Sequence, residues 1–105
     1  MTDAIQTVRI GGVEVGPGRS PFILAEMSGN HNGSLERALQ IVDAAAEAGA
    51  HGIKLQTYTA DSMTIDSRAE GFVIDSNNPT WEGDSLYDLY ARAATPYEWH
   101  KTLFE

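Results

Sequence analysis

The spacing of apolar positions changes several times along the chain. From Thr7 to Val15 apolar and polar residues alternate, with Val8 and Ile10 before Gly11-Gly12 and Val13 and Val15 after it. Two glycines between short alternating runs predict a tight hairpin over residues 7–15, because the favoured two-residue turns need positive φ. Gly16-Pro17-Gly18 ends it. Phe22 to Glu26 follows as a short, nearly continuous apolar run, the pattern of a parallel strand covered on both faces. It stops at the polar cluster Ser28-Gly29-Asn30-His31-Asn32-Gly33.

A helical pattern comes next. Leu35, Ala38, Leu39, Val42, Ala45 and Ala46 share one side, and Glu36, Arg37, Gln40, Asp43 and Glu47 lie mostly on the other. Ser34 is the predicted N-cap. Arg37 stands where a full capping box needs Glu or Gln. Gly49 is placed to close the helix. Gly52 to Gln56 then reads as a second strand. Residues 22–56 therefore predict a βαβ unit with parallel strands and a right-handed crossover.

Residues 57–84 form a long polar stretch containing Asn77, Asn78 and Pro79, expected to be a functional or mobile loop. Helices are predicted over 85–105. Ser85 would cap the first, with Leu86, Leu89 and Tyr90 on one side. Thr95 would cap a second, with Pro96 in its first turn, Trp99, Leu103 and Phe104 along it, and the helix still running at Glu105. The fold class is α/β. Two parallel strands and their helices cannot close a barrel or cover both faces of a sheet. Trp81, Trp99, Leu103 and Phe104 need a partner surface. The chain is thus expected to be the opening piece of a longer protein, or to bury those faces by oligomerising.

Strand geometry singles out the first candidate residues. Leu24 and Glu26 share one face of the first strand, and Lys54 and Gln56 share one face of the second. Ile23, Ala25, Ile53 and Leu55 point the other way and can pack under helices. Glu26, Lys54 and Gln56 are unusual residues to enclose in a parallel sheet. A polar barrel interior near the C-terminal strand ends is where barrel enzymes place their chemistry. The bland alternative is a buried Glu26–Lys54 ion pair, expensive to desolvate and a poor route to stability.

Composition removes several classes of function. The net charge is -8, with 7 Lys and Arg against 15 Asp and Glu. That argues against a nucleic-acid surface, which needs clustered cations. An anionic substrate would need a local cationic pocket, built in part from residues elsewhere. The chain has no cysteine, which excludes disulfides and thiolate chemistry and suits a cytoplasmic address. No apolar run reaches membrane-span length, and the first ten residues do not read as a secretory signal.

The loop Ser28 to Ser34 joins a strand to a helix, so its amides are candidates to face an anion, although an ordinary βα turn reads equally well. It matches neither a dinucleotide fingerprint nor a Walker sequence. His31 is a candidate ligand or acid–base group, weighed against a structural hydrogen-bonding role. His51 and His100 rank lower. No histidines or carboxylates have a convincing chelate spacing.

The runs FILAEMSGNHNGSLERAL, AGAHGIKLQTYTADSMTID and SLYDLYARAATPYEWHKTLFE closely resemble the N-terminal part of the sialic-acid-synthase (nonulosonic acid synthase) family. The resemblance covers about Val8 to Glu105. The core AE-x-x-x-NH-x-GS followed by a strand reading K-x-Q belongs to the wider family. Met27-Ser28-Gly29, TYTADSMT and ATPYEWH point to its pseudaminic branch. The resemblance implies a (β/α)8 barrel preceded by a β-hairpin, a later antifreeze-like domain absent here, and a homodimer.

It also implies condensation of phosphoenolpyruvate with an amino-sugar aldehyde, with a divalent metal (Mn or Mg) whose ligands are not in this chain. For the pseudaminic branch the aldehyde is a diacetamido-trideoxy-hexose. Sibling enzymes make N-acetylneuraminate or legionaminate, and a non-catalytic binding or assembly module is an alternative of another class. Lys54 matches a lysine that contacts phosphoenolpyruvate, Gln56 a substrate-binding residue, and Glu26 an essential glutamate. Asn30 and His31 match the first-loop motif without a transferred role. The isolated 105-residue chain is expected to have little or no synthase activity.

Overall fold

A computed structural model describes residues 5–75 and 83–105. Asn77, Asn78, Pro79 and Trp81 lie outside the described residues. The first two strands, β1 (Val8–Ile10) and β2 (Val13–Val15), pair antiparallel with Arg9 opposite Glu14. Gly11 and Gly12 hold φ of 54° and 84°, the left-handed pair that such a turn demands.

The expected βαβ unit is present. It consists of β3 (Leu24–Glu26), α1 (Leu35–Glu47) and β4 (Gly52–Lys54). Strands β3 and β4 run parallel, with Leu24 beside Gly52, Ala25 beside Ile53 and Glu26 beside Lys54. Both strands are shorter than predicted, so Phe22 and Gln56 flank the ladder rather than join it. The Ser34 side chain accepts from the Arg37 backbone N–H and caps α1, as its sequence position predicts. The cap at the other end is Ala48, and Gly49 follows it at φ 90°. His51 fastens the sheet at its start. Its Nδ1 accepts from the Ile23 N–H at 2.9 Å and its ring stacks on Phe22. Its role is structural.

The described parts of the 57–84 stretch, residues 57–75 and 83–84, are more ordered than their polarity suggests. A one-turn helix, α2 (Ala60–Met63), begins at Thr59, whose side chain accepts from the Ser62 N–H while Ser62 returns the bond. Residues 72–74 pair with 83–86 through Ile74 N–H to Asp84 O, Gly83 N–H to Ile74 O and Leu86 N–H to Phe72 O. Ser85 caps α3 (Leu86–Ala93) by accepting from the Asp88 N–H, as predicted.

Thr95 corrects its prediction. It caps no helix: its backbone N–H goes to Gln56 O at 2.9 Å, and its hydroxyl is buried without a partner. Pro96 instead precedes a 3₁₀ turn, Tyr97–Trp99, which leads into α4 (His100–Phe104). Pro96 is extended, with ψ of 141°, so the helical turn starts only at Tyr97, one residue too late for Thr95 to be its N-cap.

The core is thin. Among the described residues only Met27, Ala38 and Ala60 are buried apolar side chains. The accessible surface is 7684 Å², against about 5,800 Å² for a compact chain of this mass. The radius of gyration is 18.2 Å, where a compact domain of this length has about 13 Å. Ile23, Leu24, Ile65 and Phe104 stand about half exposed or more. Such a surface calls for further protein against it.

Candidate active-site corner at the ends of two parallel strands

Period-2 geometry sorts the sheet as expected except at Ile23, which was expected on the covered side and is 52% exposed. Ala25, Ile53 and Leu55 are partly covered, while Leu24, Glu26, Lys54 and Gln56 are exposed on the opposite face. The parallel register places Glu26 beside Lys54, and Lys54 Nζ meets Glu26 Oε1 at 2.5 Å. The alternative of a buried ion pair is half right. The pair exists, but its side chains are 57% and 56% exposed. Nothing among the described residues covers that face, so neither charge has paid the desolvation penalty of a buried bridge.

The loop after β3 is tied to the sheet at its root. The Met27 N–H donates to Lys54 O at 3.1 Å, and the Met27 side chain is fully buried. Within the loop, Asn30 N–H donates to Met27 O, Asn32 N–H to Gly29 O and Ser34 N–H to His31 O. The Gly33 N–H donates to His31 Nδ1 at 2.9 Å. These four amides are committed to the loop itself, which favours a βα turn over an anion cradle at those positions. Ser28 and Asn32 sit at φ 50° and 55°, a conformation that costs about 1–2 kcal/mol for each such residue. Gly29 lies close to Ala93: a Cβ there would sit 3.2 Å from Ala93 O and 3.3 Å from Ala93 Cβ, tighter than ordinary contact.

His31 is the most enclosed polar residue of the loop, at 0% exposure. Its ring meets Trp99 edge-on, with centroids 5.1 Å apart. Burial lowers its pKa below the usual 6.5, and the backbone carbonyl of Ala93 opposes that shift. Because Nδ1 accepts from Gly33, the neutral ring carries its proton on Nε2. Nε2 makes no hydrogen bond of regular geometry, although the Ala93 carbonyl lies near enough to favour the charged ring. Sequence reasoning could not find this burial, because Trp99 is distant along the chain.

The sites expected from sequence are therefore split. Glu26 and Lys54 touch. Gln56 and Asn30 line an open groove of about 910 Å³ between the first loop and α3, with Arg37, Tyr58 and Tyr90 also on its wall. The backbone carbonyl of Asn30 accepts from Arg37 Nε at 2.7 Å. Burial and the neighbouring Tyr90 raise the pKa of Tyr58, whose ring meets Tyr90 edge-on. His31 lies behind the groove and does not open into it. His100 bonds Thr57 at 2.6 Å and packs between Tyr97 and Phe104. Sequence reasoning missed that bond as well. Among the described residues no three His, Asp or Glu side chains are placed to hold a metal ion. No helix among them is long and apolar enough to cross a membrane.

The NeuB family model matches residues 41–105. This chain belongs to the NeuB family. NeuB-family membership agrees with the resemblance read from the first-loop and K-x-Q motifs. The chain is 54% identical over 84 residues to a pseudaminic acid synthase of Campylobacter jejuni, a match covering 80% of this chain and 24% of that protein. A pseudaminic acid synthase of Helicobacter pylori is 46% identical over 85 residues, covering 81% and 24%. Among solved structures, the spore coat polysaccharide biosynthesis protein SpsE of Bacillus subtilis superposes with a TM-score of 0.61 at 32% identity. That match covers 94% of this chain and 24% of SpsE. The chain thus spans about a quarter of the length of these NeuB-type relatives. That proportion fits the thin core and the open sheet face.

Proposed function

We propose that these 105 residues act as the opening quarter of a (β/α)8 barrel synthase that works in the cytoplasm as a homodimer. The longer chain condenses phosphoenolpyruvate with a diacetamido-trideoxy-hexose aldehyde, giving pseudaminic acid and phosphate. The observation that carries this reading is the Glu26–Lys54 pair, in register at the C-terminal ends of two parallel strands. That is the position where barrel enzymes assemble their sites. The names of the Campylobacter and Helicobacter relatives favour the pseudaminic product over its siblings.

The residues suit the chemistry. Carbon 3 of phosphoenolpyruvate attacks the aldehyde carbon and forms the new C–C bond. Water adds at carbon 2, and the resulting tetrahedral intermediate expels phosphate by C–O cleavage. Lys54 supplies a fixed ammonium for the anionic substrate, a charge-assisted contact stronger than a neutral one. Its present bond to Glu26 is no obstacle, since exposed ion pairs are worth about 0–1 kcal/mol. An incoming phosphate or carboxylate displaces Glu26 cheaply. The freed Glu26 carboxylate then accepts a proton from the adding water or holds a sugar hydroxyl. Gln56 offers both a donor and an acceptor beside them. The described residues do not form a site for the divalent metal, so no step is derived through it. Its ligands would come from the longer chain.

The test is phosphate release by the full chain with manganese, phosphoenolpyruvate and each of three sugars, with mass analysis of the products. The sugars are the diacetamido-trideoxy-altrose, N-acetylmannosamine and the legionaminate precursor. Fastest turnover with the altrose is expected. Preference for another sugar would move the enzyme to a sibling activity, and no sugar-dependent release would overturn the synthase reading. The 105-residue chain alone is expected to be inactive.

A further inference from the structure

We propose that His31 is a positioning residue for the strand-end corner, acting as the internal anchor that ties the loop after β3 to the segment holding Gln56. This rests on the synthase reading above and gives the first-loop motif a role within it.

Three observations converge. First, His31 is fully buried, so substrate reaches neither of its nitrogens in this arrangement. Second, its two sides hold different parts of the chain. Nδ1 accepts from Gly33 and fixes the loop's exit into α1, while the ring packs edge-on against Trp99. Third, both parts connect to the candidate site. The loop begins at Met27, whose N–H is bonded to Lys54 O. The segment leading to Trp99 contains Thr95, whose N–H is bonded to Gln56 O. Gly29 packs on Ala93 alongside, closing the same seam. Removing His31 would loosen Glu26, Lys54 and Gln56 together, although it touches none of their side chains.

The choice of histidine follows from the two contacts. Asparagine could replace Nδ1 as an acceptor for Gly33 but has no ring to set against Trp99. Phenylalanine keeps the ring and leaves the Gly33 amide without its acceptor. Each conservative variant should therefore retain a different half of the anchor.

The experiment compares His31→Asn and His31→Phe with the unsubstituted full chain. A displacement of about 1 Å at reacting groups can lower a rate about 100-fold. The expected result is a kcat about 10- to 100-fold lower for His31→Phe. The KM for phosphoenolpyruvate should rise by less than kcat falls, because Lys54 keeps its charge while its position loosens. His31→Asn should recover part of that kcat. Both pH profiles should keep the limbs of the unsubstituted enzyme. Loss of one limb in both variants would make His31 an acid–base catalyst and overturn the proposal. Unchanged kcat in both would also overturn it.

Nitrogen NMR of the histidines in the same full chain gives a reading that needs no turnover. The proton of His31 should sit on Nε2, with Nδ1 as acceptor. A charged ring, or a proton on Nδ1, would contradict the anchor geometry. If the unsubstituted chain releases no phosphate, the synthase reading fails by itself, and the NMR result still judges the anchor.

Discussion

Two strand pairs of equal length, three residues in each strand, carry cross-strand ion pairs in this chain. In the hairpin, Arg9 lies opposite Glu14 at 3.2 Å, and Arg19 reaches the same carboxylate at 2.8 Å. In the parallel pair, Glu26 lies beside Lys54 at 2.5 Å. Distance alone does not separate them, and neither pair is buried. Topology does. The hairpin pair is closed by a two-residue turn, and its glutamate is already shared between two arginines. The parallel pair joins residues far apart in sequence and sits where the chain leaves both strands. It also shares its face with Gln56. The helix α1 packs against β4 of its sheet. A charged pair becomes a candidate site when the fold places it at an open strand end, and remains a surface bridge when a local turn creates it.

That contrast can be broken most severely at Glu26. Glu26→Gln should lower kcat of the full chain by about 10²- to 10⁴-fold, the usual range for a lost acid–base group. Arg9→Ala in the hairpin should leave kcat within about twofold, since it touches no reacting group. Equal losses at both positions would erase the distinction.

A smaller effect tests the seam beneath the parallel pair. Gly29→Ala forces its new Cβ against Ala93. Urea unfolding should show a loss of about 1–3 kcal/mol, the range for overpacking. Unchanged stability would mean that the seam yields freely.

Acid should loosen the same region. The pKa of His31 is lowered in the folded state, so between that value and about 6.5 the unfolded chain binds more protons than the folded one. Stability is therefore complete above about 6.5 and falls as pH drops toward the folded value, by at most about 1.4 kcal/mol per pH unit. In His31→Asn this component of the slope should vanish. An identical slope in the variant would assign the effect to other groups.

The least change is expected in the hairpin. Glu14→Gln should shift stability by less than about 1 kcal/mol, and the shift should shrink in high salt. A larger loss would give the hairpin bridge an importance that its exposure does not support.

Much of the corner was legible before the structure because it depends on local rules. Alternation put Glu26, Lys54 and Gln56 on one face, and Ser34 and Ser85 announced their helices by N-cap chemistry. The double glycine marked the hairpin. What could not be read depends on distant partners or on weak versions of familiar signals. The turn at α2 uses Thr59 with Ser62, a short polar reciprocal cap inside a polar stretch. Thr95 resembles an N-cap locally, yet Pro96 stays extended and the helical turn starts only at Tyr97. His31 looks like a loop histidine until Trp99 encloses it. The exposure of the Glu26–Lys54 face was also unreadable from alternation, which assigns residues to faces but does not say what covers them.

The most direct measurement is phosphoenolpyruvate binding to the full chain and to its Lys54→Met variant by titration calorimetry. Loss of a hydrogen bond to a charged group should weaken binding by about 10- to 100-fold. Affinity unchanged within about twofold would contradict the claim that the two parallel strands present Lys54 to the substrate.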